Sequence, residues 1–258
     1  MSTLPKISVI IVARNEEKNM KECLESVKWA DEIVVVDDMS TDRTLEICEG
    51  YPNVKVFRRE MEGLGPQKNF ALSKASGEWI LSLDADERVT PELREEILRK
   101  VPGSGNDGYS LKLKHLIFGA WVLDYTPKAV RLFRKGKGRF SGKKVHESVV
   151  LDGKAGVLEG LMIHRSSHQE NIANYIEVYV NRYSSYTAED LYEMGRRVTL
   201  GNGLFCFVLK PFFIFIQKYF FKRGFRDGLR GFLLSVFASF TYFASYAKLW
   251  EKQKSEKH

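Results

Sequence analysis

The sequence predicts an α/β fold, with a mostly parallel sheet that carries helices on both faces, followed by an apolar helical region. Short, almost continuously apolar segments such as Ile7–Ala13 are typical of strands that are covered on both faces. These segments alternate with segments of helical periodicity, which is the pattern of a parallel sheet. In the last third of the chain, long aromatic and apolar stretches replace this alternation.

Four strands are predicted in the first part of the chain, at residues 7–13, 32–36, 54–57 and 79–83. Parallel strands need a crossover connection, and a helix between consecutive strands supplies it. The sequence therefore predicts βαβ units. In such sheets, ligands bind beyond the carboxyl ends of the strands.

The helices between these strands are marked by periodicity and by end signals. Apolar residues recur at helical spacing in Met20–Val27, and Ser40 or Thr41 is the expected N-cap of the next helix. Gly63–Pro66 opens a third helix. Thr90–Glu92 combines an N-cap, a proline at the first helical position and an acid in the first turn, which predicts a fourth.

Polar residues follow three of the predicted strands. An isolated pair of aspartates is more often a solvated turn than a site, but three polar strand ends at one edge of a sheet predict a ligand site. The candidate residues are Ala13, Arg14 and Glu16 after the first strand, Asp37 and Asp38 after the second, and Asp84 and Asp86 after the fourth.

Asp84 and Asp86 are the candidate metal ligands. Residues two apart in an extended backbone point the same way, so the two carboxylates can converge on one divalent cation. Oxygen ligands of this kind suit Mg²⁺ or Mn²⁺, which complete their coordination with water and substrate phosphates. A calcium loop starting at Asp84 is excluded, because Arg88 and Val89 occupy its fifth and sixth positions.

Composition limits the class of protein. The chain has 258 residues, is 44% hydrophobic and contains three scattered cysteines, which argues against a disulfide framework and fits a reducing compartment. No basic segment precedes the first apolar run, so a catalytic part in the cytosol is expected. The net charge is +7, with basic clusters in 128–144 and 194–226 that contain no acid. Such clusters indicate phosphate-bearing partners: a nucleotide, a nucleic acid or an anionic lipid.

The C-terminal third predicts helices that contact a membrane. Residues 172–191 have tyrosines near helical spacing, and residues 205–221 are apolar, although Lys210-Pro211 is expected to interrupt them. Residues 231–247 carry no charge but would cover only about 25 Å as a helix, short of a comfortable membrane span. Flanking basic and aromatic residues favour an interfacial or re-entrant anchor. A buried helical hairpin and a homo-oligomer interface remain alternatives.

The strand-end motifs resemble those of family 2 nucleotide-sugar glycosyltransferases. Val36–Asp42 is similar to their Val-Asp-Asp-Gly-Ser-Thr-Asp signature, with Met39 in place of the glycine, a change that excludes some left-handed turn conformations. Ser82–Glu87 looks like their metal-binding Asp-x-Asp motif. Three further segments resemble the branch that includes bacterial lipopolysaccharide-core β-glucosyltransferases: Gln67–Ala71, Arg131–Arg134 and Val145–Glu147.

The resemblance implies a GT-A fold over residues 1–165. The composition of residues 166–258 predicts a membrane-associating helical region. The resemblance implies that Asp38 contacts the base or ribose of the donor, and that Asp84 and Asp86 face the ribose and the metal-bound diphosphate. It also implies that Glu147 is the base that removes the proton from the acceptor hydroxyl.

Other residues are expected to complete the site. Lys68, Arg131 and Arg134 are candidates for binding phosphate oxygens, although each could instead be a solvated surface charge. His164 follows an apolar run and is a candidate for a further metal or phosphate contact. A structural histidine is the alternative.

Together these features predict a metal-dependent inverting glycosyltransferase on the cytoplasmic side of the inner membrane. Its expected partners are a nucleotide-diphosphate sugar, a lipid-linked glycan such as the lipopolysaccharide inner core, and the membrane leaflet, without nucleic acid. Sugar transfer to polyprenyl phosphate is the closest alternative. A nucleotidyltransferase would need a glycine-rich loop after the first strand, and a basic nucleic-acid- or lipid-binding protein without catalysis would leave the paired aspartates unexplained.

Overall fold

The structure is a computed structural model that describes residues 5–122, 128–141 and 148–255. Two compact units are distinguished. The first contains the described residues within Met1–His115 and Thr126–Arg165, and the second contains those within Leu116–Tyr125 and Ser166–His258. The second unit thus includes a short segment that lies inside the sequence of the first.

The main sheet contains nine strands in the described part of the chain. Their order, from one edge to the other, is β3-β2-β1-β4-β8-β6-β11-β5, and β7 pairs with β6. A separate pair is formed by β9 and β10. The bounds are β1 Ile7–Ala13, β2 Glu32–Asp37, β3 Val54–Arg58, β4 Trp79–Asp84, β5 Glu87–Val89, β6 Gly108–Ile117, β7 Ala120–Val122, β8 Ala129–Arg134, β9 Gly138–Phe140, β10 Val149–Leu151 and β11 Ala155–His164.

The strands β3, β2, β1 and β4 are parallel to one another, as the sequence predicts. Strand β8 runs antiparallel to both β4 and β6, whereas β6 and β11 are parallel. The carboxyl ends of the four parallel strands lie at the same edge. Because β8 runs the other way, its first residues lie near that edge and its last residues near the opposite one.

The alternation of side chains explains why helices cover both faces. Val9, Ile11, Ile33 and Val35 pack in one apolar cluster with the buried side chains of a helix at Glu17–Val27. The strand residues next to these point to the other face of the sheet and pack in a second cluster with Ala71 of another helix. This second cluster contains Ile10, Val34, Val36 and Ile80. Consecutive residues of a strand point to opposite faces, so each buried strand contributes to two cores.

The helices of the first unit lie close to the predicted positions. They are α1 Glu17–Val27, α2 Thr44–Glu49, α3 Leu64–Lys74 and α4 Pro91–Lys100. The N-cap at Thr90 is confirmed, because its side chain accepts a hydrogen bond from Leu93 N at 3.2 Å. The cap expected at Ser40 or Thr41 is wrong. Helix α2 begins at Thr44, and the Asp42 side chain accepts from the Thr44 amide at 3.0 Å.

The second unit is helical over most of its described length. Its helices are α5 Ile172–Tyr175, α6 Tyr183–Glu193, α7 Leu200–Leu204, α8 Lys210–Ile216 and α9 Gly228–Ser255. The π-helical segment Ile176–Arg182 joins α5 to α6, and Tyr175, Tyr179 and Tyr183 stack along it with ring centroids 4.8 and 5.4 Å apart. The tyrosines near helical spacing therefore stack on one another along one side of this helix.

Two helical stretches of the second unit are long and apolar enough to cross a membrane, by length and composition alone: Leu200–Phe221 with 22 residues and Gly224–Ser255 with 32. Lys210-Pro211 interrupts the apolar composition of the first stretch, but the helix continues through it. A π-helical segment, Phe205–Leu209, ends two residues before the proline, which lies in the first turn of α8. The last helix also extends well beyond the uncharged window seen in the sequence.

Candidate active site

Hydrogen bonds tie the loop after β1 to the loop after β2. The Asn15 amide donates to Ser40 Oγ at 2.9 Å, and Asn15 Oδ1 accepts from the Thr41 amide at 2.9 Å. The Glu16 amide donates to Thr44 Oγ1 at 2.8 Å. Ser40 and Thr41, which do not cap α2, therefore fix the two loops to each other at the carboxyl edge of the sheet.

Asp37 and Asp38 are both buried at the end of β2. Asp38 Oδ2 pairs with Arg14 Nη1 at 3.1 Å, and Asp38 Oδ1 accepts from the Met61 amide at 2.8 Å. Asp37 Oδ2 accepts from the Ser40 amide at 3.0 Å. Asp37 Oδ1 is buried without a hydrogen-bond partner among the described residues, so this oxygen can accept a bond from a ligand.

Met39 adopts the left-handed conformation, with φ of 52°. Its side chain is 48% exposed, so no core packing compensates for the conformation. The turn therefore keeps the left-handed backbone conformation that glycine would adopt freely, although methionine stands at this position. A residue with a Cβ atom adopts this region at a cost.

The carboxylate of Asp84 lies between two cations. Asp84 Oδ1 is 2.6 Å from Lys68 Nζ and Asp84 Oδ2 is 3.4 Å from Arg131 Nη1. Burial alone would raise the pKa of Asp84, but Lys68 and Arg131 hold it well below its usual range. Three of the residues expected at this edge from the sequence are thus in mutual contact.

Glu87 is the buried acid of the same turn. Its side chain is 1% exposed, pairs with Arg131 Nη2 at 2.8 Å and accepts from the Asp84 amide at 2.9 Å. Burial raises the pKa of Glu87 to about 7, against the opposing effect of Arg131. Glu87 therefore orients Arg131 and closes the turn that presents Asp84 and Asp86.

Asp86 contacts His164, which in turn contacts His115. Asp86 Oδ2 is 3.2 Å from His164 Nε2, and His164 Nδ1 is 3.0 Å from His115 Nδ1. Burial alone would lower the pKa of His164, but the hydrogen bond with Asp86 raises it to about 9. One of the two Nδ1 atoms must donate and the other accept. Strand pairing places Glu87 beside His164 and His164 beside His115.

Sequence reasoning did not identify His115. It is buried on the core-facing side of β6, where Leu111 and Leu113 precede it at the period of a strand. In the sequence, a histidine on an apolar strand face can indicate either a residue that supports a metal ligand or a buried histidine with a purely structural role. Only its position opposite His164 distinguishes the two.

Arg88 holds the acidic turn against α1. Its guanidinium donates to the carbonyl oxygens of Ala85 and Glu87 at 3.2 and 3.1 Å, and to Asn19 Oδ1 and the Asn19 carbonyl at 3.1 Å. A partner in α1 is Glu22, at 3.3 Å from Arg88 Nε. Arg88 is buried, and it fixes the backbone of the turn that carries the candidate ligands.

Arg134 does not join the other candidate residues. It stands opposite Trp79, at the amino end of β4, because β8 runs antiparallel to that strand. Its guanidinium lies 4.8 Å from the Trp79 ring and donates to the carbonyl oxygens of Ser104 and Asn106. The expected phosphate contact is therefore replaced by a structural role, and we exclude Arg134 from the candidate site.

Three further residues were expected at the site, and the structure describes two of them. Glu16 lies after Asn15 in the fixed loop, where burial raises its pKa and the negative charge of Asp86 adds to the rise. Ala13 is buried at the end of β1, and its carbonyl accepts from the Asp38 amide at 2.8 Å. Glu147, the expected base, lies outside the described residues.

The candidate ligands do not form a larger cluster. Within residues 5–122, 128–141 and 148–255, no group of three or more His, Cys, Asp or Glu side chains is arranged to hold a metal ion. Asp86 and His164 bring two donors together, while Asp84 is engaged by Lys68 and Arg131.

Comparison with known proteins assigns the family. Residues 8–142 match the family model described as glycosyl transferase family 2. The chain belongs to glycosyl transferase family 2. It is 30% identical over 264 residues to the lipopolysaccharide core biosynthesis glycosyltransferase LpsC of Rhizobium meliloti, and the match covers 96% of this chain and 94% of LpsC.

Solved structures support the fold assignment. The mannosyltransferase PcManGT from Pyrobaculum calidifontis, in complex with GDP-Man and Mn²⁺, superposes with a TM-score of 0.59 at 16% identity, over 97% of this chain and 89% of that one. S. aureus TarS 1-349 in complex with UDP-GlcNAc superposes with a TM-score of 0.52 at 19% identity, over 97% and 92%. The expected GT-A fold is confirmed, and the chain is a family 2 glycosyltransferase.

Proposed function

We propose that this glycosyltransferase is metal-dependent and inverting, and that it transfers a sugar from a nucleotide diphosphate to a hydroxyl of a membrane glycolipid in lipopolysaccharide core synthesis. The observation that carries the chemistry is the convergence of Asp84, Asp86, Lys68, Arg131 and His164 at the carboxyl edge of the sheet. The relationship to LpsC supports the acceptor class.

The donor would bind across the two fixed loops. Asp38, held by Arg14 and the Met61 amide, is placed to contact the base or ribose, and the unpaired Asp37 Oδ1 offers a buried acceptor next to it. Lys68 and Arg131 would bind diphosphate oxygens, since charge-assisted hydrogen bonds of this kind are strong. Their existing contacts with Asp84 and Glu87 keep both cations oriented.

The donor set suits a divalent metal. Asp86 and His164 would hold the ion, with Asp84 beside them, because carboxylate and imidazole ligands suit Mn²⁺ and a diphosphate can complete its coordination. When bound, such an ion supplies a Lewis acid that stabilises the charge of the leaving diphosphate. His164 is oriented for this role by its contact with His115 at 3.0 Å.

Inversion needs a base on the side of the sugar opposite to the leaving diphosphate. We assign this role to Glu147, which would accept the proton of the acceptor hydroxyl. Glu147→Gln should lower turnover by about a thousandfold while leaving donor binding unchanged, since a positioned general base contributes factors of this order. Turnover that survives this change would favour a phosphate acceptor, such as polyprenyl phosphate, which needs no base.

Donor binding is tested by thermal unfolding of the purified chain with UDP-, GDP-, ADP- and dTDP-sugars, each with and without Mn²⁺. A ligand that binds only the folded state raises the melting temperature. We expect one nucleotide to stabilise the protein in a Mn²⁺-dependent manner, and Asp86→Ala to abolish the shift. Arg134→Gln, at the other end of β8, is the matched control and should keep it.

The acceptor is tested separately, by transfer of a radiolabelled sugar from the identified donor to core lipopolysaccharide acceptors, lipid A alone and polyprenyl phosphate. Label on the core acceptor only would support the proposal. Label on polyprenyl phosphate only would contradict the proposed glycolipid acceptor. In the unfolding experiment, a nucleotide that stabilises the protein equally without metal would contradict the proposed metal dependence.

A further inference from the structure

The helical stretch Leu200–Phe221 has an exposed face that is almost entirely apolar. Residues four apart along it are exposed, and all but one of them are apolar: Phe205, Leu209, Phe213, Gln217 and Phe221. Phe213 is 58% exposed and Phe221 is 79% exposed. Exposed patches of this kind mark interaction surfaces, because soluble proteins rarely leave contiguous apolar area in water.

The backbone keeps this stripe on one side of the helix. In a regular α-helix a step of four residues turns by about 40° more than a full turn, so such a stripe would wind around the axis. Two segments of this stretch, Phe205–Leu209 and Gln217–Phe221, are π-helical and therefore have wider turns. The wider turns bring the local period closer to four residues, which straightens the exposed stripe.

The second helical stretch is covered along its middle by a polar helix. Thr241 Oγ1 in α9 donates to the Tyr179 carbonyl at 3.2 Å, and Lys248 Nζ donates to the Asn181 carbonyl at 2.7 Å. Lys248 Nζ also donates to Ser185 Oγ at 2.8 Å. The central part of α9 is therefore fixed to residues 172–193.

That covering helix exposes charged residues. Glu177, Arg182, Glu189 and Asp190 are all exposed to solvent. A hairpin of the two apolar stretches that crossed a bilayer would place the middle of α9, and with it these charges, in hydrocarbon. Charged side chains at that depth are costly, so the packing within this unit opposes a transmembrane arrangement.

The turn between the two stretches is basic. Lys222, Arg223 and Arg226 are exposed there, and Asp227 is the acid beside them. Crossing the membrane would carry this cluster to the far side, whereas basic segments are retained on the cytoplasmic side. The same cluster is complementary to the phosphates of an anionic lipid surface.

We infer that the apolar hairpin lies in the plane of an anionic bilayer without crossing it: the Phe205–Phe221 stripe enters the acyl layer, the basic turn contacts lipid phosphates, and both ends stay on one side. This rests on the membrane glycolipid acceptor proposed above and adds how the chain lies on the membrane that holds it. The charged helix at 172–193 then faces water, as its exposed residues require.

The geometry is tested by labelling with a membrane-impermeant maleimide. The full chain is bound to the outside of preformed vesicles of phosphatidylethanolamine and phosphatidylglycerol, with a cysteine introduced at the turn by Arg226→Cys or, as the matched control, near the start of the hairpin by Arg196→Cys. The native cysteines Cys23, Cys48 and Cys206 are buried. We expect both introduced cysteines to be labelled equally before and after the vesicles are dissolved.

Labelling at Arg226→Cys only after the vesicles are dissolved would overturn the inference, since the turn would then lie inside. A chain that does not float with the vesicles would overturn membrane association itself, so the two failures are distinguishable.

The occupant of the stripe is tested by Phe213→Ser with Phe221→Ser, which should weaken partitioning into these vesicles by about tenfold or more. The matched control is Ile172→Ser with Ile176→Ser, because these residues are also exposed but lie on the charged helix. The control should bind as the unmodified chain does. Unchanged binding of the phenylalanine variant, with loss of a dimer in solution, would show instead that a second copy covers the stripe.

Discussion

At the scale of single residues, His115 ends a chain of contacts that begins at Asp86. His164 lies between them, with one ring nitrogen on the carboxylate and the other on His115 Nδ1. A histidine that binds metal is usually oriented by the partner of its other nitrogen. His115 is buried, so its ring cannot turn away to solvent.

We therefore expect His115→Leu to lower the apparent Mn²⁺ affinity by about 10- to 100-fold, because His164 loses the partner that orients it. The measurement is a Mn²⁺ titration in the presence of the stabilising nucleotide, in which the melting temperature is recorded at each Mn²⁺ concentration. His168→Leu is the matched control, since His168 is exposed. Equal Mn²⁺ affinity in both variants would mean that His115 has only a packing role.

Met39 gives a second prediction at this scale. Met39→Gly should raise the free energy of unfolding by about 1 kcal/mol, because glycine adopts φ of 52° without the steric cost of a Cβ atom. Urea unfolding followed by circular dichroism measures the change. Met39→Ala keeps the Cβ atom and should show no such gain; an equal gain in both variants would place its origin in the lost side chain instead.

Single residues also show what the sequence could predict about the site. Asp84 and Asp86 could be expected at one edge, because strand ends in a parallel sheet meet there. Lys68 and Arg131 were candidates only as phosphate-binding cations, since one lies in helix α3 and the other in the antiparallel strand β8. Arg134 could not be separated from Arg131 by its spacing alone. The two differ because β8 is antiparallel to β4, and that direction depends on contacts between residues far apart in the chain.

At the scale of elements, Glu32 joins the amino ends of neighbouring strands at the edge opposite the site. It accepts hydrogen bonds from Ser8 Oγ in β1 at 2.6 Å, Lys55 Nζ in β3 at 2.7 Å and the Ser76 amide before β4 at 2.7 Å. Burial alone would raise its pKa, but these hydrogen bonds lower the pKa from 4.5 to about 2.

The lowered pKa predicts a dependence of stability on pH. The unfolded chain takes up a proton at Glu32 below pH 4.5, whereas the folded chain does so only near pH 2. The stabilisation is therefore complete above pH 4.5 and is lost as the pH falls to 2, amounting to about 3 kcal/mol. Urea unfolding across this range measures it.

Glu32→Gln should be less stable at neutral pH and should lack this part of the pH dependence. Glu49→Gln is the control, since Glu49 is exposed at the end of α2. If the Glu32 variant and the unmodified chain lose stability in parallel between pH 4.5 and 2, other carboxylates cause the loss.

Element boundaries were predictable where local chemistry decides them. Thr90 caps α4 because proline and an acid follow it, and these are short-range preferences. Ser40 and Thr41 are also residue types that cap helices, but they bond to Asn15 in another loop. Ser40 Oγ accepts from the Asn15 amide, and the Thr41 amide donates to Asn15 Oδ1. Pro211 likewise reads as a helix break, and the π-helical turn before it is not encoded by a local signal.

At the scale of the whole molecule, the basic turn between the two apolar stretches predicts how membrane binding depends on salt. Replacing Lys222, Arg223 and Arg226 together by glutamine should weaken binding to anionic vesicles by about 3 kcal/mol at low salt, at roughly 1 kcal/mol for each basic residue near the surface. Vesicle co-sedimentation at increasing salt concentration measures the difference, which should shrink as screening increases.

The matched control replaces three exposed basic residues of the other unit, Lys18, Lys21 and Arg43, by glutamine. This variant has the same net charge and should bind as the unmodified chain does. Equal weakening in both variants would show that total charge, and not the basic turn, governs binding.

The architecture was predictable in its first half and less so in its second. Alternating strands and helices indicate that β1, β2, β3 and β4 are parallel, but they do not indicate the observed order β3-β2-β1-β4. Helix α4 joins β5 to β6, but the described residues contain no helix between consecutive strands from β6 to β11, so the order of these strands depends on long-range pairing. The sequence therefore indicated the α/β class without indicating that β8 separates β4 from β6.

Arg88 has a consequence for how the protein folds. The acidic turn is short and local, but the side chain that fixes it bonds to Asn19, 69 residues earlier. The loop between them must close before the turn gains these bonds, and contacts between distant residues form slowly. Catalytic competence should thus arise late, only once the first helix has docked, so that a nascent chain does not present a working donor site before its first unit is assembled.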